Sequence, residues 1–302
     1  MKLDRNKLRR TGVAYAFLAP SLLVLLVFFF VPVAQGVRLS FFQIDPYVPE
    51  QAKFVGGANF ARILKDPEFR SALVNSFTYL LVVPVIIAMS LALALLVEPR
   101  MPFVNVFRAA YYVPVVTTMV VVGIAWRFIF GDDSGLLNRL LLQWGLIRKA
   151  IPWLTDGSLA LWTVMSVTVW KGLGYYMVVF IGALRNIPTE TIEAAIVDGA
   201  KPSQVFWRIK FPMLWPTISL VAVLSSIAAL QVFDEIYVMT GGKVREARTL
   251  VYYVYETGFS QRSGAQDYGY ASAMAVALFG VLLVFTWANL AALRRGGYQG
   301  EG

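Results

Sequence analysis

Residues 13–37 read VAYAFLAPSLLVLLVFFFVPVAQGV, without a single Asp, Glu, Lys or Arg. An α-helix rises 1.5 Å per residue, so about 20 such residues cross the ~30 Å hydrocarbon layer of a bilayer. A stretch apolar on every side suits lipid, where a helix satisfies its own backbone groups and nothing else need cover it. The run exceeds the roughly 7–15-residue core of a cleaved signal peptide, so it reads as a retained anchor.

The rest of the chain repeats this pattern. Uncharged windows run from Leu73 to Val97, Ala109 to Trp126, Leu159 to Trp170 with Gly172 to Leu184, Met213 to Phe233, and Tyr268 to Leu293. The expectation is an all-α polytopic membrane protein of about six transmembrane helices, near residues 14–36, 73–97, 107–130, 159–184, 213–238 and 269–293. Residues 14–293 then form a single transmembrane domain between tails 1–13 and 294–302. Composition agrees: 58% of the 302 residues are hydrophobic and 15% charged, against roughly a quarter charged in soluble domains.

The formal net charge is +9, and its clearest cluster is Lys2, Arg5, Lys7, Arg9 and Arg10, just before the first span. Flanking cations hold a segment on the cytoplasmic side, which accounts for them without nucleic acid. Six spans then place both termini in the cytoplasm, as a multi-pass protein of the cytoplasmic (inner) membrane. In that orientation the inside segments carry 13 Lys and Arg in 61 residues and the outside segments 12 in 93.

There is no cysteine and no histidine. That excludes disulfides, metal sites built on thiolate or imidazole, and chemistry needing an imidazole base. No carboxylate cluster falls inside a span, and Asp132-Asp133 reads as turn chemistry. No catalytic residue, cofactor or metal site is expected, which weighs against a membrane-embedded enzyme. Gly241-Gly242-Lys243 lacks the rest of a phosphate-binding loop.

Two outer segments exceed simple hairpins. Residues 37–72 hold a short amphipathic helix near Asn59–Leu64, and residues 131–158 a turn followed by an amphipathic stretch, Leu136–Leu146.

One inner segment, 185–212, is more than a link. Pro188 bars its predecessor from helical geometry, and Thr189 is a good N-cap. The predicted helix runs to Asp198 and stops at Gly199, a natural left-handed cap. Pro202 suits the first position of a second helix, which ends before Pro212. Ile192, Ala195, Ile196 and Gly199 share a face. Two readings fit this helix-turn-helix: a linker packed on the protein's own spans, and a knob that docks in a partner's groove.

The run Glu193-Ala194-Ala195, three residues, Gly199, nine residues, Ile209, one residue, Phe211-Pro212 resembles the EAA loop of permease subunits in binding-protein-dependent ABC importers. Phe211 replaces the family's usual leucine. Further likeness to the carbohydrate branch, the maltose and glycerol-phosphate type, covers most of the chain: Pro20, Pro32, Asn75-Ser76, Arg108, Pro114, Trp126, Trp170-Lys171 and Gly174. Phe233 to Gly242, Thr249-Leu250-Val251 and Gly269 to Ala273 extend it. The branch continues Gly-Gly-Gly-Pro where this chain has Lys243-Val244-Arg245-Glu246.

The resemblance implies a type I-like importer fold with a cytoplasmic coupling loop and no ATP site of its own. The partners it implies are two ATP-binding subunits, a homologous second permease giving a heterodimer, an extracytoplasmic solute-binding protein and the lipid bilayer. Glu193, Ala194, Ala195, Asp198, Gly199, Ile209 and Pro212 would couple to the ATPase, and a sugar or sugar-like solute would be the cargo.

Ionisable or amide residues inside spans tend to face a cavity, which singles out Arg127, Lys171, Gln231, Asp234 and Glu235. Tyr175, Tyr176 and Trp170 add rings that suit a sugar's apolar faces, and Lys171, Tyr175, Gln231 and Asp234 are taken as the translocation path. For Lys171 a second reading stands beside it, a structural ion pair or a bond to the carbonyls of a broken helix near Gly172 and Gly174. Asp234 and its neighbour Glu235 also fit an interfacial position. The rival function is a secondary transporter working without an ATPase; such proteins are commonly built from internal repeats, and none is evident here.

Overall fold

The computed structural model describes residues 5–44, 52–97, 104–260 and 266–295. In chain order they form α1 (Arg5–Leu25), a π-helical turn (Leu26–Phe30), α2 (Val31–Leu39), β1 (Phe42–Gln43), β2 (Lys53–Phe54), α3 (Ala58–Lys65), α4 (Pro67–Tyr79) and α5 (Val82–Val97). There follow α6 (Val104–Val116), α7 (Met119–Ile129), α8 (Leu136–Gln143), α9 (Gly157–Arg185) and α10 (Thr189–Val197). The last are α11 (Pro202–Val205), a second π turn (Phe206–Lys210), α12 (Phe211–Leu230), α13 (Asp234–Thr240), α14 (Leu250–Phe259) and α15 (Tyr268–Arg295).

Among the described residues five helical stretches are long and apolar enough to cross a membrane: Val13–Leu39, Pro67–Val97, Gly157–Arg185, Pro202–Leu230 and Tyr268–Asn289. Val106–Val116 and Met119–Ile129 make a sixth when taken together as one span, bent by 100°. The chain is thus the all-α multi-pass membrane protein its hydropathy demands, with a two-residue ribbon, β1–β2, as a minor exception.

Two local differences have physical causes. The second helix of the 185–212 segment does not stop before Pro212 but runs through the π turn into α12. There the Phe211 N–H bonds the Phe206 carbonyl, five residues back. Prolines near such a wide turn bend a membrane helix rather than end it, because neighbouring groups re-satisfy the freed carbonyls. The helix taken over 213–238 ends at Leu230, and residues 234–240 form the separate α13 after a short turn at Gln231.

Contacts group the chain into two compact units, Met1–Asp66 with Val254–Gly280, and Pro67–Tyr253 with Val281–Gly302. In the first, buried Asn59 on α3 donates to the carbonyls of Ser40 and Phe42, both at 2.9 Å. Arg62 pairs with Asp267 at 2.7 Å and stacks 3.9 Å above the Tyr270 ring, whose hydroxyl donates to Asp66 at 2.6 Å. Gly269 lies hard against the Phe42 carbonyl, where no Cβ fits.

In the second unit α9 is the centre, packed on α5, α6, α12 and α13. One core cluster gathers Tyr79, Val164, Val167, Ile236 and Met239; another gathers Met177, Phe180, Leu184 and Leu214. Asp156 caps α9 by accepting from the N–H groups of Ser158 and Leu159. The Ser158 hydroxyl and N–H hold its carboxyl below its ordinary range.

The segment between α7 and α9 is organised by Asn138, which is 1% exposed. Its amide donates to the carbonyls of Asp132 (2.7 Å) and Ile151 (2.9 Å) and accepts from Ile151 N–H (3.1 Å) and Trp153 Nε1 (3.0 Å). Truncation strands several buried groups, each costing about 1–3 kcal/mol. Asn138→Ala should therefore destabilise the protein by about 2–4 kcal/mol. The thermal midpoint of purified protein in lipid nanodiscs measures this. An unchanged midpoint would mean that the network is not holding the segment.

Candidate functional site

Two regions of the second unit bring the sequence-derived residues to definite places. The first is the 185–212 segment. Ile187 and Val205 are buried and pin its two ends, so that α10 projects between them. Thr189 is the first helical residue and makes no side-chain cap; Pro188 holds the cap position. At the other end the Gly199 N–H reaches the Ile196 carbonyl at 3.0 Å and the Ala200 N–H the Ala195 carbonyl at 2.9 Å. The second of these bonds is the wide closure of a helix that ends on a left-handed residue. Gly199 has φ +82°, where an L side chain is strained.

The faces of α10 divide cleanly. Ile192 and Ile196 look onto a 530 Å³ groove with Leu95, Pro202, Val205 and Phe206. Glu193, Ala194, Asp198 and Gly199 are exposed on other sides, Ala195 is half-buried, and Ile209 and Pro212 lie beyond, in and just after the second π turn. Sequence reading missed Val197, which is 86% exposed at the tip although apolar. Its only signal was an apolar residue off the helix's apolar face.

The second region is a cavity of 230 Å³ lined by α4, α5, α6, α9, α12 and α13. Thr168, Lys171, Gly172, Tyr175 and Tyr176 form one stripe of α9 at three- and four-residue spacing. Ser225, Ala228, Ala229 and Val232 face them from α12 and the turn after it, and Tyr79, Val82 and Ile86 from α4–α5. The Tyr79 and Thr168 hydroxyls share a 2.6 Å hydrogen bond. Rings surround the site, with Tyr175 edge-on to Tyr176 at 5.1 Å.

Lys171 reaches the cavity from mid-helix, and its Nζ donates to the Val115 carbonyl at 3.4 Å. Val115 sits at the end of α6, where the chain breaks before α7. Lys171 therefore lines the cavity and bonds the open end of a broken helix, though that helix is α6 rather than α9. The close approach of α6 to α9 depends on Gly174, whose Cα faces the Tyr111 carbonyl without room for a side chain.

Of the four path residues, Lys171 and Tyr175 line the cavity; Gln231 and Asp234 are exposed and do not. Glu235, for which an interfacial position was also open, does line it. So do Tyr79, Thr168 and Ser225, which the sequence had not singled out. Their signal was present as hydroxyls on the same helical stripes, but it gains meaning only once the stripes are known to face one another.

A family model described as the inner membrane component of binding-protein-dependent transport systems matches residues 84–295. The probable ABC transporter permease protein YurN of Bacillus subtilis is 34% identical over 293 residues, covering 95% of this chain and 94% of that protein. The arabinooligosaccharides transport system permease protein AraP of B. subtilis is 32% identical over 300 residues (97% and 91%). The sn-glycerol-3-phosphate transport system permease protein UgpA of Brucella abortus is 32% identical over 281 (90% and 91%). Among solved structures, a chain of a bacterial ABC transporter involved in the import of alginate superposes with a TM-score of 0.82 at 23% identity, covering 96% of this chain and 98% of that one. At that identity the superposition speaks for the fold.

Proposed function

This chain belongs to the family of inner membrane components of binding-protein-dependent transport systems, and from that premise we propose that it forms half of the membrane pathway of an ATP-driven importer for a sugar or sugar-like solute. An extracytoplasmic binding protein delivers the solute, a related second permease completes the pathway, and two separate ATP-binding subunits drive it. The sugar assignment is supported by relatives such as AraP and UgpA, whose names carry arabinooligosaccharides and glycerol phosphate. Both termini lie in the cytoplasm on this reading.

The observation that carries it is α10: a helix pinned at both ends, closed on Gly199, and presenting Glu193, Ala194 and Val197 to its surroundings. Gripped by an ATPase, so short and braced an element moves as a rigid body with the motor and passes its motion to α9 and α12, from which it hangs. Glu193 accepts a charge-assisted hydrogen bond from a basic group of the ATPase.

Reconstitution tests this directly. The chain with a second permease, the ATPase and the binding protein should take up solute in vesicles only with ATP and only when all four are present. Uptake by this chain alone, driven by an ion gradient, would overturn the proposal in favour of a secondary transporter.

In the pathway, Tyr175 and Tyr176 offer ring faces to a sugar's apolar sides, and Ser225, Thr168 and Glu235 offer hydrogen bonds to hydroxyls. Lys171→Met should slow uptake, because it removes a cavity cation and leaves the Val115 carbonyl without its donor. A hydrogen bond from a charged group is worth about 1.5–3 kcal/mol at good geometry, and at 3.4 Å the lower end applies, a fall of roughly tenfold. Lys171→Arg should recover most of the rate. Equal uptake by the Met variant and the wild type would remove Lys171 from the working pathway.

A further inference from the structure

The segment between α7 and α9 has a surface that the transport reading does not use. Between the acids at its two ends, Asp132 and Asp133 before it and Asp156 after it, residues 134–155 carry three cations, Arg139, Arg148 and Lys149, and no carboxylate. Four of its large apolar side chains are exposed, Leu136 at 55%, Trp144 at 67%, Leu146 at 66% and Leu142 at 40%, while the others are half-buried or buried. On α8, Leu136, Arg139 and Gln143 follow one another on the outward stripe, while Asn138 is buried on the opposite side. Gly145, at φ +68°, ends the helix and leaves Leu146 exposed beyond it.

The place of this surface is set by its neighbours. It joins α7 to α9, and α9 is about 43 Å long, enough to span the bilayer from this segment to the α9–α10 junction. Phe128 near the end of α7 (78% exposed) and Trp162 near the start of α9 (51%) are also uncovered apolar residues. The exposed Leu and Trp side chains therefore lie where lipid-facing helices leave the hydrocarbon. Leucine and tryptophan beside Arg and Lys, without acids, are the composition of a helix lying in a headgroup layer.

We propose that α8 and the turn after it, residues 136–149, are an interfacial anchor that lies on the bilayer and recognises anionic phospholipid headgroups. Trp144, Leu142 and Leu146 enter the acyl boundary, and Arg139, Arg148 and Lys149 meet the phosphates. The anchor fixes the end of α7 at the membrane surface, and so the depth at which the α6–α7 bend is held. This inference needs only the membrane fold and stands apart from the transport proposal.

Because the chain has no cysteine, single-cysteine variants carry a nitroxide without background. Leu142→Cys and Leu146→Cys, with Asp133→Cys as an aqueous control, are to be prepared in the intact chain. They go into nanodiscs of phosphatidylcholine alone and of phosphatidylcholine with phosphatidylglycerol. Power saturation with oxygen and with a water-soluble nickel chelate gives the depth of each label. In the anionic bilayer the labels at 142 and 146 should lie about 5–10 Å into the membrane and that at 133 in water. Arg148→Gln with Lys149→Gln should return the anionic discs to the neutral result, with partitioning weakened roughly fivefold per cation.

Equal depth in the two lipids would overturn headgroup recognition. Water-like accessibility in both, lost only on adding partner subunits, would overturn the anchor and make the surface a protein contact. A thermal midpoint within a degree or so of wild type shows that the labelled variants are folded.

Discussion

Glu193→Lys and, separately, Gly199→Val should abolish binding-protein-stimulated ATP hydrolysis and uptake by the assembled importer, while the chain still inserts and folds. Glu193 is exposed, and among the described residues its side chain makes no hydrogen bond or ion pair, so reversal breaks nothing inside the chain. At an interface, losing one partner of a hydrogen-bonded charge pair costs about 2–5 kcal/mol, or roughly 30-fold and more in affinity. Gly199 tests the proposed docking through the backbone. An ideal Cβ there meets nothing within 4 Å, so the penalty comes from φ +82° alone. That conformation costs an ordinary L residue about 1–2 kcal/mol, a β-branched one more, and asparagine least. Gly199→Asn should therefore transport nearly as well as wild type and Gly199→Val should not. Normal coupled transport by both Glu193→Lys and Gly199→Val would refute the assignment of α10 to an ATPase.

Gly174→Ala should be strongly damaging, because the added methyl group falls on backbone in the middle of the membrane core. Its Cβ would meet the Tyr111 backbone carbonyl well inside contact distance and Val115 Cγ2 at 3.1 Å. A backbone carbonyl in a helix cannot swing aside as a side chain can, so α6 has to leave α9. That loses the packing between them and pulls Val115 from Lys171. Overpacking a core costs about 1–3 kcal/mol, occasionally more, and a clash with helix backbone belongs at or above the upper end. Two neighbours calibrate the result. At Gly172 the nearest atom is the flexible end of Ile86 at 3.3 Å, so alanine should cost little. At Gly182 nothing lies within 4 Å, and alanine should stabilise by about 0.5–1 kcal/mol. Thermal midpoints should rank the variants Gly182→Ala, Gly172→Ala, Gly174→Ala in falling order. A Gly174→Ala protein as stable as wild type would mean that α6 and α9 do not approach as described.

The two regions differ in how much of each was legible beforehand. The 185–212 segment could be read almost residue by residue, because Pro188, Gly199 and Pro202 act on the backbone of their own neighbours. What escaped was the cap, held by Pro188 rather than Thr189, and the continuation through Pro212. A proline states only that one donor is missing, and whether the helix ends or bends depends on what satisfies the freed carbonyl. The cavity was legible by half. Lys171 and Tyr175 stood out as polar residues deep in a span, whereas Gln231 and Asp234 pointed elsewhere because α12 ended at Leu230 and a turn rotated what followed. Glu235, one residue on, took the lining position.

The number and approximate place of the spans, and the helix–glycine turn between two of them, follow from the order of residues alone. Lipid requires apolar residues in unbroken runs, and cap and turn chemistry acts over three or four positions, so both are written locally. The 100° bend of α6–α7 and the membership of the cavity were decided by tertiary structure. Each depends on groups far apart in the chain, Lys171 and Val115 being 56 residues distant, and on glycines whose meaning is the backbone that another helix brings against them.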